Sequence, residues 1–158
     1  LGNSPFHYMN KNLFGKEVVL TTTNGTRAIS VAKNSHQIIV GSFLNLTAIC
    51  NYLKNEKRDV LLLCAGWRGR FNLEDSLFAG AVVNELSGDF FNELSDSALA
   101  AQTFYEVGKN DIGNFLINSS HRRRLKNLNL EKDINYCLQF DQTKVVPILE
   151  GSRLIPVK

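Results

Sequence analysis

The stretch VLLLCAGWRGRFNLEDSLFAGAVVNEL, running from Val60 to Leu86, decides the reading of this chain. Val60 to Cys64 form an unbroken apolar run, the pattern of a strand covered on both faces, and Ala65-Gly66 closes it. After a polar loop, Asn72 stands where a helix cap is expected, and the helix it predicts runs to Leu86 and ends near Gly88. Strand, loop and helix in that order make one βα unit. Two more precede it. Val18-Val19-Leu20 lead into three threonines as a β-branched strand, Asn24-Gly25 breaks it, and Thr26 to about Lys33 reads as helix. Gln37 to Val40 is a second short strand ended by Gly41, and Ser42 is placed to cap a helix carrying Phe43, Leu46, Ile49, Cys50 and Leu53 at helical spacing. Three such units in a row predict an α/β fold: a parallel or mixed sheet covered by helices on both faces.

Beyond Gly88 the pattern turns helical. Ser95 caps a segment from Asp96 to about Lys109, and shorter helices are expected at Asp111 to Leu116 and Ser120 to Leu128. Val145 to Leu149 and Leu154 to Val157, separated by Glu150-Gly151-Ser152, predict a C-terminal hairpin. No internal repeat, low-complexity tract or Pro-rich linker divides the chain. Its 158 residues are close to the roughly 150 of a typical domain, so residues 1–158 are expected to form a single α/β domain.

Hydrophobic residues make up 44% and charged residues 21%, which excludes a disordered, collagen-like or coiled-coil chain. The longest apolar run, around Val60 to Ala65, is far short of the roughly 18 residues of a membrane span. Lys and Arg number 18 against 15 Asp and Glu, a net charge of +3, too small to imply nucleic acid without a concentrated patch. The one dense basic run, Arg122-Arg123-Arg124, has two readings: the solvated face of a helix, or an anion contact. Three cysteines without CxxC spacing indicate neither a disulfide framework nor a structural zinc site, and predict a reducing, cytoplasmic setting. The opening LGNSPFHYMNKN is neither a signal peptide nor a natural start, so a fragment is expected.

In parallel βα units the loops leaving the strands open on one edge of the sheet, where such folds bind ligands. At Asn24, Gly25, Thr26 and Arg27 a helix begins straight after a strand, so free backbone N–H groups and the Arg27 guanidinium suit a phosphate or sulfonate. The plain alternative is a tight turn with an Asn cap. Gly41-Ser42, followed by Asn45, offers the same geometry and the same alternative. Glu74-Asp75 in the first turn of their helix are explained one at a time by the helix dipole. As a pair beside Arg68 and Arg70 they also suit Mg²⁺, which binds through one or two carboxylates and the substrate's phosphate oxygens. Cys64, at the end of its apolar run, is expected in the core rather than as a nucleophile. Neither GxSxG nor GxGxxG occurs, so a serine-hydrolase elbow and a Rossmann dinucleotide site have no support.

Taken in order, Gly2-Asn3-Ser4-Pro5, TTTNGTRAI from Thr21 to Ile29, Gly41-Ser42-Phe43 with Asn45, and CAGWRGRFNLEDSLFAGAVV from Cys64 to Val83 closely resemble the 2-phosphosulfolactate phosphatase family. Ser119-Ser120, Arg124-Leu125, Asp133-Ile134, Cys137, Asp141 and Val146-Pro147 follow in family order. The resemblance implies a Mg²⁺-dependent phosphatase that releases phosphate from 2-phospho-3-sulfolactate, a step toward coenzyme M. Asp75, Glu74 and Arg27 would then be catalytic, Glu74 and Asp75 would hold the metal, and Asn24, Gly25, Thr26, Ser42, Asn45 and Arg68 would contact a small polyanionic substrate. Neither nucleic acid nor membrane is an expected partner; a homo-oligomer is compatible with this reading. Family members carry further N-terminal sequence with another Asp and Arg, so the rival expectation is a truncated, catalytically incomplete fragment or anion-binding module.

Overall fold

The computed structural model describes residues 2–9, 12–88, 93–126 and 128–157. The fold is helix-rich and mixed: α1 (Phe6–Met9), α2 (Gly25–Val31), a 3₁₀ turn (Phe43–Asn45), α3 (Leu46–Glu56), α4 (Leu73–Leu86), α5 (Asp96–Gly108), α6 (Ile112–Phe115), α7 (Ser120–Lys126) and α8 (Glu131–Cys137), then strands β1 (Pro147–Glu150) and β2 (Arg153–Pro156).

Helix α4 is the centre of the core. Leu77, Ala81, Val82 and Leu86 have no exposed surface, as befits a helix that is apolar on almost every side. Helix α5 lies against it so closely that a Cβ at Gly80 would stand 1.9 Å from the Ala101 carbonyl oxygen. On the other side Leu46, Ile49, Cys50 and Leu53 of α3 join the same cluster, with Phe43 beneath them. Burial of each Leu or Ile contributes about 1.5 to 3 kcal/mol, so the predicted helical spacing finds its partner in α4. Ser95 caps α5 through its hydroxyl, which accepts from Ala98 N. The start of α3 is satisfied from a distance: Asp141 accepts from Thr47 N at 2.8 Å and from the Thr47 hydroxyl at 2.7 Å.

The predicted hairpin forms with Pro147 opposite Pro156 and Glu150 opposite Arg153, turning at Gly151, whose φ is +59°. The chain before Gly41 lies along it, with Ile39 bridged antiparallel to Ile148, Val40 N donating to Pro147 O and Leu149 N donating to Ile38 O, both at 2.9 Å. Here the structure departs from the sequence expectation. Among the described residues Val18 to Leu20 and Val60 to Cys64 join no ladder, and Val19 is 94% and Leu61 86% exposed. An apolar β-branched run sets a preference, but a strand exists only through the hydrogen bonds of a neighbour, and among the described residues no backbone hydrogen bond joins any two of the three runs. No parallel sheet covered on both faces is therefore present among these residues. The helices match more closely, although α7 ends at Lys126 and position 127 of the expected helix lies outside the described residues.

Candidate active site

The loop before α4 is a closed turn. Trp67 and Arg70 exchange backbone hydrogen bonds of 3.1 and 3.0 Å, with Arg68 and Gly69 at φ +52° and +74°. Gly66 has φ +65°, and a Cβ there would meet the Arg70 carbonyl oxygen at 2.5 Å, so glycine is required twice over. Its N–H donates to Asp75 Oδ2 at 2.7 Å, which ties the first turn of α4 back onto the loop. Burial pushes the Asp75 carboxyl up; the Gly66 N–H opposes this and the Glu74 carboxylate adds to it.

Glu74 faces the other way, toward α7. His121 Nδ1 lies 2.9 Å from Glu74 Oε1 as an ion-pair contact, and both carboxylate oxygens of Glu74 are buried without a hydrogen-bond partner. The Arg124 guanidinium reaches the same His121 nitrogen. Without a proton that nitrogen accepts from Arg124, and a protonated ring would pair by charge with the Glu74 carboxylate instead. Beside Glu74 a cavity of about 110 Å³ is lined by Ser119, His121, Arg122, Leu116 and Leu138 among others. Arg122 contacts Glu131 at 3.3 Å, yet its Nη1 is buried without a partner.

Across the loop, Asn24 Oδ1 accepts from Arg68 N at 3.0 Å rather than capping its own helix α2. Gly25 N donates to Thr22 Oγ1 at 3.0 Å and the Thr26 hydroxyl donates to Thr22 O, so both of those donors are engaged within the turn. The structure thus joins four of the predicted residues, Asn24, Arg68, Asp75 and Glu74, around one loop. It links the other five, Gly25, Thr26, Arg27, Ser42 and Asn45, to them by no side-chain hydrogen bond or ion pair among the described residues. Arg27 is exposed on α2. Asn45 is buried; its amide donates to Val145 O at 3.0 Å and its oxygen accepts from Ser42 N at 2.8 Å, so the pair fastens the Gly41 loop to the start of β1.

Two residues of this cluster were not assigned from the sequence. His121 had no partner at any recognisable spacing, and Arg124 sat in a basic run whose plain reading was a solvated helix face. Arg124 instead lies over the Trp67 ring, 4.3 Å from its centroid, and Arg68 over the same ring at 4.7 Å. Cys64 also differs from expectation: it is exposed rather than in the core. Partial burial of the thiol and then the Asp75 carboxylate push its pKa up, which disfavours the reactive thiolate. Cys50 is the core cysteine, its thiol pushed up to about 12 by burial.

The donor set suits a hard divalent cation. Among the described residues no three His, Cys, Asp or Glu side chains gather as a complete cage. Mg²⁺ needs only one or two carboxylates, the remaining ligands being waters and phosphate oxygens, and the two buried Glu74 oxygens without hydrogen-bond partners are the kind of atoms such an ion satisfies. Two carboxylates thus begin a buried helix, Asp75 tied to Gly66 and Glu74 turned toward His121, with the guanidiniums of Arg68 and Arg124 on the Trp67 ring nearby.

The description 2-phosphosulpholactate phosphatase belongs to the family model that matches residues 1–152, and the chain belongs to that family. Over 149 residues it is 48% identical to a probable 2-phosphosulfolactate phosphatase of Thermotoga petrophila, covering 94% of this chain and 63% of that protein. Proteins with the same description from Pseudothermotoga lettingae, 38% identical over 98% of this chain and 66% of theirs, and from Caldanaerobacter subterraneus, 34% identical over 96% and 63%, are similar along the same span. The chain thus spans about two thirds of the length of the curated relatives it matches. No helix among the described residues is long and apolar enough to cross a membrane.

Proposed function

We propose that this chain carries the phosphate-handling part of a Mg²⁺-dependent phosphatase that hydrolyses 2-phospho-3-sulfolactate to sulfolactate and phosphate. The observation that carries the reading is the connection running from Asn24 through Arg68 and Gly66 to Asp75, which joins the anion-binding turn to the acidic helix start. The names of the relatives, probable 2-phosphosulfolactate phosphatases, support the same substrate.

Asp75 and Glu74 hold the metal on this reading, and Mg²⁺ when bound neutralises charge on the phosphoryl oxygens. Phosphoryl transfer asks for little beyond positioning and charge neutralisation. Arg27 binds the substrate's oxyanions, Gly25 and Thr26, whose donors are spent on Thr22, hold the turn that presents it, Asn24 fixes the Arg68 backbone, and Ser42 with Asn45 shapes its own loop. On this reading the apolar runs at Val18 to Leu20, Gln37 to Val40 and Val60 to Cys64 are suited to a mixed α/β sheet, and the Ile39–Ile148 bridge is the pairing that supports it. The three free cysteines support a reducing, cytoplasmic setting.

Phosphate release from 2-phospho-3-sulfolactate, with Mg²⁺ and with EDTA, tests the reading: release that needs the metal and is lost in Asp75→Asn is expected. The exposed Val19 and Leu61 favour a second reading, a catalytically incomplete anion-binding module. Absence of turnover by this chain, beside a Thermotoga petrophila relative that turns over under the same conditions, would select it.

A further inference from the structure

The Trp67 ring carries two guanidiniums and, among the described residues, no carboxylate lies within ion-pair distance of either Arg68 or Arg124. Their Cζ atoms are 4.7 and 4.3 Å from the ring centroid, so the two cannot be farther apart than the sum of those distances. A guanidinium held over a ring keeps for a ligand the N–H groups it does not spend on protein; Arg124 spends Nη2 on His121 and keeps the others. Bringing two uncompensated cations onto one ring is unfavourable unless an anion answers them. Both are held in place. Arg68 is fixed by its backbone bond to Asn24 and by the Trp67–Arg70 turn, and Arg124 by its contact with His121. Through His121 the pair adjoins Glu74, where the proposed function places the metal and the phosphoryl group.

We propose that Arg68 and Arg124, stacked on Trp67, form a clamp for the second acidic group of the substrate, a sulfonate or carboxylate, and that Arg124 is thereby a specificity-determining residue. The proposal rests on the phosphatase reading for its substrate, but anion binding is separable from turnover. The fork of an arginine on an oxyanion is bidentate and charge-assisted, which explains why α7 returns to the loop before α4 rather than presenting Arg124 to solvent.

Trp67 is the only tryptophan of the chain, so its fluorescence reports directly on the clamp. The metal-free protein is titrated with 3-sulfolactate, and separately with inorganic phosphate. A saturable change in Trp67 emission with sulfolactate is expected. Loss of a hydrogen-bonded charged partner weakens binding by about tenfold to a hundredfold, so Arg124→Gln and Arg68→Gln are expected to bind sulfolactate that much more weakly, while the exposed neighbour variant Arg123→Gln binds as the parent does. Arg124→Lys, which keeps the charge and most of the stem, guards against a folding defect and is expected to weaken binding because a point ammonium lacks the fork. Unchanged sulfolactate affinity in Arg124→Gln or in Arg124→Lys, or no response of the parent protein, overturns the clamp. A response to phosphate equal to that for sulfolactate also overturns its specificity. Intact sulfolactate binding in a protein that releases no phosphate from 2-phospho-3-sulfolactate would count against the phosphatase reading and leave the clamp standing.

Discussion

Gly66 donates its backbone N–H to Asp75 Oδ2 at 2.7 Å, so the loop leaving the apolar run and the helix it enters share one hydrogen bond at the candidate site. That bond keeps an acidic side chain in partial burial, against the desolvation that pushes its pKa up. The two effects act in opposite directions, and burial is the larger.

Asp75→Asn is therefore expected to abolish phosphate release while leaving the fold at least as stable at pH 8. The sign follows from linkage. A carboxyl whose pKa is raised by folding favours the fold while protonated, below its unfolded value of about 3.9, and loses that contribution as pH rises through the folded value. At pH 8 the ionised Asp75 opposes folding, and Asn removes the charge while its amide oxygen still accepts from Gly66. Thermal melts at pH 8 and pH 5 check this: the gain from Asn is larger at pH 8. A fall in Tm of more than about 4 °C at pH 8, roughly 1 kcal/mol or more for a chain of this size, would show that the carboxylate charge holds the loop.

Gly66→Ala is expected to damage the loop more than Gly69→Ala. Both positions have positive φ, which costs an L-residue about 1 to 2 kcal/mol. Only at Gly66 does the added Cβ also strike a backbone atom, the Arg70 carbonyl oxygen at 2.5 Å, while Gly69 faces open space. Urea unfolding of the two variants should therefore rank them, with Gly66→Ala lower. Equal midpoints would mean that the Trp67–Arg70 turn relaxes without difficulty.

Gly80→Ala tests the packing that presents the site. The new methyl would stand 1.9 Å from the Ala101 carbonyl oxygen, a backbone atom that moves only if α5 moves, and overpacking of this kind costs typically about 1 to 3 kcal/mol or more. Loss of cooperative melting, or a Tm lowered by at least about 4 °C, is the expected outcome, and an unshifted Tm would mean that α4 and α5 are less closely apposed.

How much of this was legible follows from the reach of each signal. Helices α3, α4 and α5 were readable because their apolar spacing, their caps and their burial act within a few turns, as Leu46, Ile49, Cys50 and Leu53 illustrate. Val60 to Cys64 was readable as apolar and β-prone, but its neighbour is a long-range property that no local pattern encodes. At the site, Glu74 and Asp75 stood out by adjacency and Asn24 by its turn. The bond between Asn24 and Arg68 and the return of Arg124 to Trp67 were not legible, because each depends on the path of the chain between them. Asp141 shows the same limit. Ser42 caps the 3₁₀ turn that leads into α3, as its position predicts, but the carboxylate that the structure brings to Thr47 comes from far along the chain.

The cysteines give a prediction in which exposure and acidity combine. Cys64 and Cys137 are exposed and Cys50 is buried; burial raises all three thiols, Cys50 to about 12. At pH 8 an alkylating reagent should modify Cys64 and Cys137 slowly, since the thiolate is the reacting form, and Cys50 only after unfolding, which peptide mass mapping resolves. Because Cys64 is exposed, Cys64→Ala is expected to change stability by no more than about 0.5 kcal/mol, less than truncation in the core would cost. Its raised pKa and its position beside Asp75 argue against a thiolate attacking phosphorus, so under the proposed metal-assisted reading turnover should stay within about tenfold of the parent. A folded Cys64→Ala protein without phosphatase activity, measured beside an active parent, would move the chemistry onto the sulfur and leave Glu74 and Asp75 to explain differently.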